Sequence, residues 1–234
     1  MRKLTLSILL AISIGSVMTA FSQSPKSVAP TVDAAWKLPE VISFIGLKTG
    51  DRVADIVGGR LTASLAQAVG PTGKVYAVET AEVVKAHPQI MGMMKELATH
   101  SPNVVVSDDP VASPLPAGLD AVVIRQNYHD LYNEFMGPAD VPAFNKAVFA
   151  ALKPGGVYVV LDHAAAAGSG ISATNSLHRI DPMRVKADVL AAGFKLDAES
   201  LILANESDNH TKNVFDPSVR SHTDQFLYRF KKPK

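Results

Sequence analysis

Three histidines in the second half of the chain stand beside charged neighbours: His129-Asp130, Asp162-His163 and His178-Arg179, with Asp181 two residues further on. A neutral imidazole takes up a proton near physiological pH, a carboxylate fixes its tautomer, and an arginine clamps an anion. The set therefore suits acid–base chemistry on a substrate with an anionic group. The same residue types also ligate transition metals, and a chain without cysteine would have to use them. No two of the three are four residues apart, as on a metal-binding helix, so no metal is expected. A plainer reading has them fasten a loop from Ala164 to Ile180 by hydrogen bonds. His87, His100, His210 and His222 lie in polar or loop contexts and receive no role.

A second group lies earlier. In "VADIVGGRLTAS", residues 53–64, an apolar strand enters a turn at Gly58-Gly59 and a helix begins near Leu61. Glycine lets a ligand approach the backbone where a Cβ would stand. The turn holds two glycines and Arg60, whereas the usual dinucleotide fingerprint spaces three, so a nicotinamide dinucleotide fits poorly. A guanidinium at a helix start favours anions, or faces solvent. One unit later "KVYAVE" ends on Glu79, an acceptor pair placed to take two adjacent hydroxyls, or else to cap the helix starting near Ala81. Asp108-Asp109 precede a proline, which is also common in turns.

These residues sit at the ends of buried strands. "NVVVSDD" and "LDAVVIRQNYHD" are continuous apolar runs followed by polar residues, as are "DRVADIV" and "VYVVLDH". Helices are expected over 36–45, 61–69, 81–99 with a break at Pro88, and 139–152. Another starts after the Asp181-Pro182 cap and stops near Gly193. "KPGG" reads as a turn, and "FKLDAESLIL" and "DQFLYRF" as the last strands. Such alternation means a doubly wound α/β sheet, mostly parallel, with its crevice at the carboxyl ends of the strands.

The chain opens with Arg2-Lys3 and an apolar stretch from Leu4 to about Ala20, which reads as a secretory signal peptide over 1–22. A flexible leader rich in Ser, Pro and Ala follows over 23–35, and one domain spans 36–234. The product is expected to be periplasmic or secreted and free of the membrane once the signal is removed. With no cysteine there is neither a disulfide nor a lipoprotein anchor. A formal charge of +1 gives no reason to expect a nucleic-acid partner.

"GDRVADIVGG", "GKVYAVE", "LDAVVIRQNYHDL", "LKPGGVYVVLDHAA", "LHRID", "AAGF" and "TDQFLYRF", in that order, resemble a class I S-adenosylmethionine-dependent methyltransferase. More narrowly they are similar to the bacterial family of exported "predicted methyltransferases". The resemblance implies a Rossmann-like sheet of seven strands with an antiparallel last strand, S-adenosylmethionine as cofactor and a small-molecule acceptor. It implies that Asp55, Gly58 and Gly59 form the cofactor loop, that Glu79 accepts from the ribose hydroxyls, and that Asp108 lies near the adenine. It implies that residues Asn127 to Asp130 line the transfer site. The residues' own chemistry makes His129 the expected base, with Asp130 or Asp162 orienting an imidazole, His163 nearby and Arg179 holding an anionic group. Close relatives are expected to carry a longer, glycine- and aromatic-rich turn than "VGGRLT". Export also takes the chain away from the cytoplasm, where the cofactor is made. The alternative is an exported, non-catalytic binding protein that uses Arg60, Arg125 and Arg179 for an anionic ligand.

Overall fold

Successive side chains of a strand point to opposite faces, so an unbroken apolar run must be covered on both. The computed structural model describes residues 36–234; the expected signal peptide and leader lie outside the described residues. Strands β1 (Arg52–Ile56), β2 (Lys74–Val78), β3 (Val104–Ser107), β4 (Leu119–Arg125) and β5 (Leu152–His163) run parallel. Strand β7 (Gln225–Lys231) is antiparallel to both β5 and β6 (Lys195–Ser200). The order β3-β2-β1-β4-β5-β7-β6 makes one seven-stranded sheet, the Rossmann-like methyltransferase fold.

One face buries Val53, Val75, Ala121, Val123 and Val159 under α1 (Leu38–Ile45), α2 (Arg60–Val69) and α4 (Gln89–His100). The other buries Ala54, Ile56, Val122, Ile124, Tyr158 and Phe230 under α5 (Val141–Ala151) and, after the short α6 (Thr174–Leu177), α7 (Pro182–Ala191). The helical stretch expected over 81–99 is two helices, α3 (Ala81–Ala86) and α4. Pro88 lacks the amide that a continuous helix would need. "KPGG" does not leave the sheet. Leu119 pairs with Leu152 and Ala121 with Val157, so the extra residues are absorbed as a bulge within β5. The last long strand expected from "FKLDAESLIL" stops at Ser200.

Strand order reverses between β1 and β4, and there the connections leave to opposite faces and open a crevice. Each strand is followed by a non-glycine residue in the left-handed region, Val57 (φ 53°) after β1 and Gln126 (φ 57°) after β4. For β-branched Val57 this conformation is costly and concentrates strain at the crevice. Among the described residues no helix is long and apolar enough to cross a membrane.

Candidate active site

The turn after β1 builds the first wall. Thr62, in the first turn of α2, receives the Gly59 amide on Oγ1 (2.9 Å) and donates the same hydroxyl to Asp55 Oδ2 (2.6 Å). This satisfies one of the helix's unpaired amides and fixes a carboxylate at the strand end. The two glycines do different work. A Cβ on Gly58 would stand 2.8 Å from Glu79 Oε1, 2.9 Å from Thr62 Oγ1 and 3.0 Å from Met94 Cε, whereas one on Gly59 would meet nothing within 4 Å. Gly58 is a packing necessity, and Gly59 faces open space.

Behind Gly58 lies Glu79, with 0% exposure and neither carboxylate oxygen in a hydrogen bond. The cap of α3 is Thr80, whose hydroxyl accepts from the Val83 amide, so capping does not explain Glu79. Burial, with the Asp55 charge beside it, raises the Glu79 pKa to about 8 against a weaker opposing pull from the Gly58 amide. Asp55 is raised to about 6 by burial, tempered by Thr62 and Arg125. With only the weak pull of the Gly58 amide against burial, Glu79 keeps its proton at neutral pH.

The second wall stands at the ends of β4 and β5. Asp162, fully buried, accepts the backbone amides of His129 (2.8 Å) and His163 (2.7 Å) and bonds His129 Nδ1 at 2.9 Å. His129 Nε2 then faces Asp130 Oδ1 at 3.2 Å and His178 Nδ1 at 3.3 Å. Asp130 is itself held by Asn127 (2.9 Å) and Asn133 (2.8 Å). Burial opposes charge on His129, but the carboxylates of Asp162 and Asp130 outweigh it and push the pKa up to about 10. At neutral pH that imidazole is a proton donor. The expected neutral base is therefore not what this arrangement provides. His163 goes the other way: burial lowers it to about 3, and its Nδ1 pairs with Thr223 Oγ1 at 2.7 Å.

Between the walls is a cavity of about 500 Å³, lined by Asp55, Gly58, Gly59, Arg60, Arg125, Asn127, His129, Asp130, His163 and His178. Seven of the ten expected site residues meet there: Asp55, Gly58, Gly59, Asn127, His129, Asp130 and His163. Glu79 lies just behind the wall, while its neighbours Val78 and Thr80 line a second, largely apolar cavity of about 400 Å³. Asp108 is exposed and lines neither; Asp109 borders the second.

Arg179 is a correction. Expected to meet an anionic substrate, it is wholly buried, bonded to the carbonyls of Lys212 (2.8 Å) and Ala164 (2.9 Å) and paired with Asp208 at 2.9 Å. Asp181 likewise turns away from the cavity and caps α7 through Met183. Sequence reading missed the rim: Phe135 and Phe215, exposed by 39% and 60%, and His87 border the opening. Trp36 lies over Arg125, 4.1 Å from guanidinium carbon to ring centroid, and 5.2 Å from Arg60. Isolated aromatics in loops carry no periodicity that would have singled them out.

No protein-family model matches the chain, and no curated protein matches it in sequence. Solved structures match it in fold. A SAM-dependent methyltransferase from Aquifex aeolicus shares 18% identity over 83% of this chain and 88% of that one, with a TM-score of 0.58. The [4+2]-cyclase SpnF shares 18% over 86% and 81%, with a TM-score of 0.59. A phosphoethanolamine N-methyltransferase from Haemonchus contortus, solved with S-adenosyl-L-methionine, shares 14% over 85% of this chain and 52% of that one, with a TM-score of 0.57. The chain thus has the fold of the class I methyltransferases. At these identities the likeness is one of fold, and a cyclase among the matches underlines that fold does not dictate chemistry.

Proposed function

We propose that this protein is an S-adenosylmethionine-dependent methyltransferase acting on a small-molecule acceptor, exported to the periplasm or beyond as in the exported bacterial family its sequence resembles. The observation that carries this reading is Glu79: a fully buried carboxylate with two orphaned oxygens at the carboxyl end of β2. A buried acceptor pair without donors is costly unless a ligand supplies them, and two adjacent ribose hydroxyls are such donors. The open face of Gly59 and the apolar cavity beside Thr80 suit the rest of a nucleoside.

On this reading Glu79 holds the ribose, the Gly58-Gly59 turn receives the amino-acid end, and Arg60 or Arg125 pairs with its carboxylate. The cofactor, when bound, supplies a methyl carbon on a sulfonium. Asn127, Asp130 and His178 face the acceptor, and the half-exposed His178, whose pKa burial and the nearby His129 lower, is the wall's proton acceptor. Phe135 and Phe215 offer an apolar rim to the acceptor.

The test is titration of the mature chain with S-adenosylmethionine or S-adenosylhomocysteine. Micromolar binding is expected, weakened about tenfold or more in Glu79→Ala, the scale of one or two hydrogen bonds to a charged group. Absence of heat and of thermal shift with either compound overturns the proposal. A second reading, a non-catalytic binder of anions, is favoured by the placement of Arg60 and Arg125 on one cavity. It calls for a carboxylate ligand whose binding falls with salt and with Arg125→Ala, without methylated product.

A further inference from the structure

We propose that His129, Asp130 and His178 form a binding site for one divalent first-row transition cation, of which zinc is the representative, on the wall of the central cavity. Their ligand atoms make a compact triangle: 3.2 Å from His129 Nε2 to Asp130 Oδ1, 3.3 Å from His129 Nε2 to His178 Nδ1, and 3.9 Å from His178 Nδ1 to Asp130 Oδ1. With metal–ligand bonds of about 2.0–2.1 Å, tetrahedral ligands stand about 3.3–3.4 Å apart. Two edges fall close to that spacing, and the third closes with a small rotation of half-exposed His178.

Two further features point to a ligand between these atoms. Asp162, bonded to His129 Nδ1, orients the ring so that Nε2 faces Asp130 Oδ1, and a divalent cation there would replace the proton that Nε2 carries at neutral pH. Two of the three ligands also have a supporting shell. Asp162 orients His129, and Asn127 and Asn133 hold the two oxygens of Asp130 by hydrogen bonds of 2.9 and 2.8 Å. A carboxylate behind a ligating imidazole is the usual outer partner of a metal site.

Two imidazoles and one carboxylate form a set that suits zinc and neighbouring ions, and three protein ligands leave a fourth position for water or a ligand atom. That position opens on the cavity, whose lining includes all three residues. The site needs no cofactor and uses atoms already in place, and His178 bound to the cation would not serve as proton acceptor at the same time.

The mature chain, stripped with a chelator and dialysed, is titrated with Co²⁺ and followed by visible absorption. Saturation near one equivalent with tetrahedral-type bands, and their loss on adding one equivalent of Zn²⁺, is the expected result. His178→Ala should weaken binding by at least a hundredfold. Asp162→Asn, which keeps the ligands but alters their support, should weaken it by about ten- to a hundredfold. His100→Gln, remote from the cavity, should bind as the wild type. If His178→Ala fails to fold, His178→Gln serves in its place. Wild-type protein that takes up neither Co²⁺ nor Zn²⁺ at 100 µM, or a His178 variant that binds as tightly as the wild type, overturns the proposal. Neither outcome bears on titrations with S-adenosylhomocysteine.

Discussion

Glu79 carries the sharpest consequence at the scale of one residue. Its pKa of about 8 makes it neutral in the free protein at pH 7, while hydroxyls bonded to its oxygens favour the ionised form. Binding of S-adenosylhomocysteine at pH 7 is therefore expected to release close to one proton. Calorimetry in buffers of different ionisation enthalpy should show this slope, and Glu79→Gln should remove it. The raised pKa also fixes a sign for stability. An acid that folding makes weaker stabilises the fold fully below its unfolded pKa, near 4.5, and loses that contribution as pH rises through about 8. Asp55 adds the same trend between 3.8 and about 6. Urea midpoints of the free mature chain should fall from about pH 5 to about pH 9, and Glu79→Gln should flatten the upper part of the curve.

Two elements frame the site and are open to separate tests. In the turn between β1 and α2, Gly58→Ala forces a methyl group against Glu79, Thr62 and Met94 and should cost about 1–3 kcal/mol of stability. Gly59→Ala meets nothing in the free protein, so it should leave chemical denaturation unchanged while weakening any ligand that approaches that backbone. The loop from Ala164 to Ile180 is bridged at its ends and clamped by buried Arg179. Arg179→Met strands Asp208 without its partner and should cost about 3 kcal/mol or more, read as a lower urea midpoint. Since this loop carries His178, the loss should also blunt any chemistry at the cavity.

For the whole molecule, a ligand that binds only the folded state adds RT ln(1 + [L]/Kd) to its stability, about 2.7 kcal/mol at a hundredfold excess over Kd. For a domain of roughly 200 residues that is a rise in Tm of about 5–10 °C, expected with S-adenosylhomocysteine and absent in Glu79→Ala. The gain should appear in a single transition, because the described residues belong to one compact unit with the site on its central strands.

The sheet and the glycine turn were legible in the residues themselves. Apolar runs, a Gly-Gly step and an Asp-Pro cap act over a few neighbouring positions, and local sterics and burial decide their shape. Asp55, Glu79, Asn127, His129 and His163 could be placed at strand ends for the same reason, since a doubly wound sheet gathers those ends into one crevice. Partnership was not legible. Arg179 and His178 are adjacent in the chain, yet the left-handed backbone at His178 (φ 54°) sends one to the cavity and the other into the interior, where Asp208 receives it. Asp162 rather than Asp130 accepts from His129 Nδ1, and Thr80 rather than Glu79 caps its helix. The first two choices join segments about 30 residues apart and are set by packing. Only the folded chain decides which charges are buried, which are paired, and which are left waiting for a ligand.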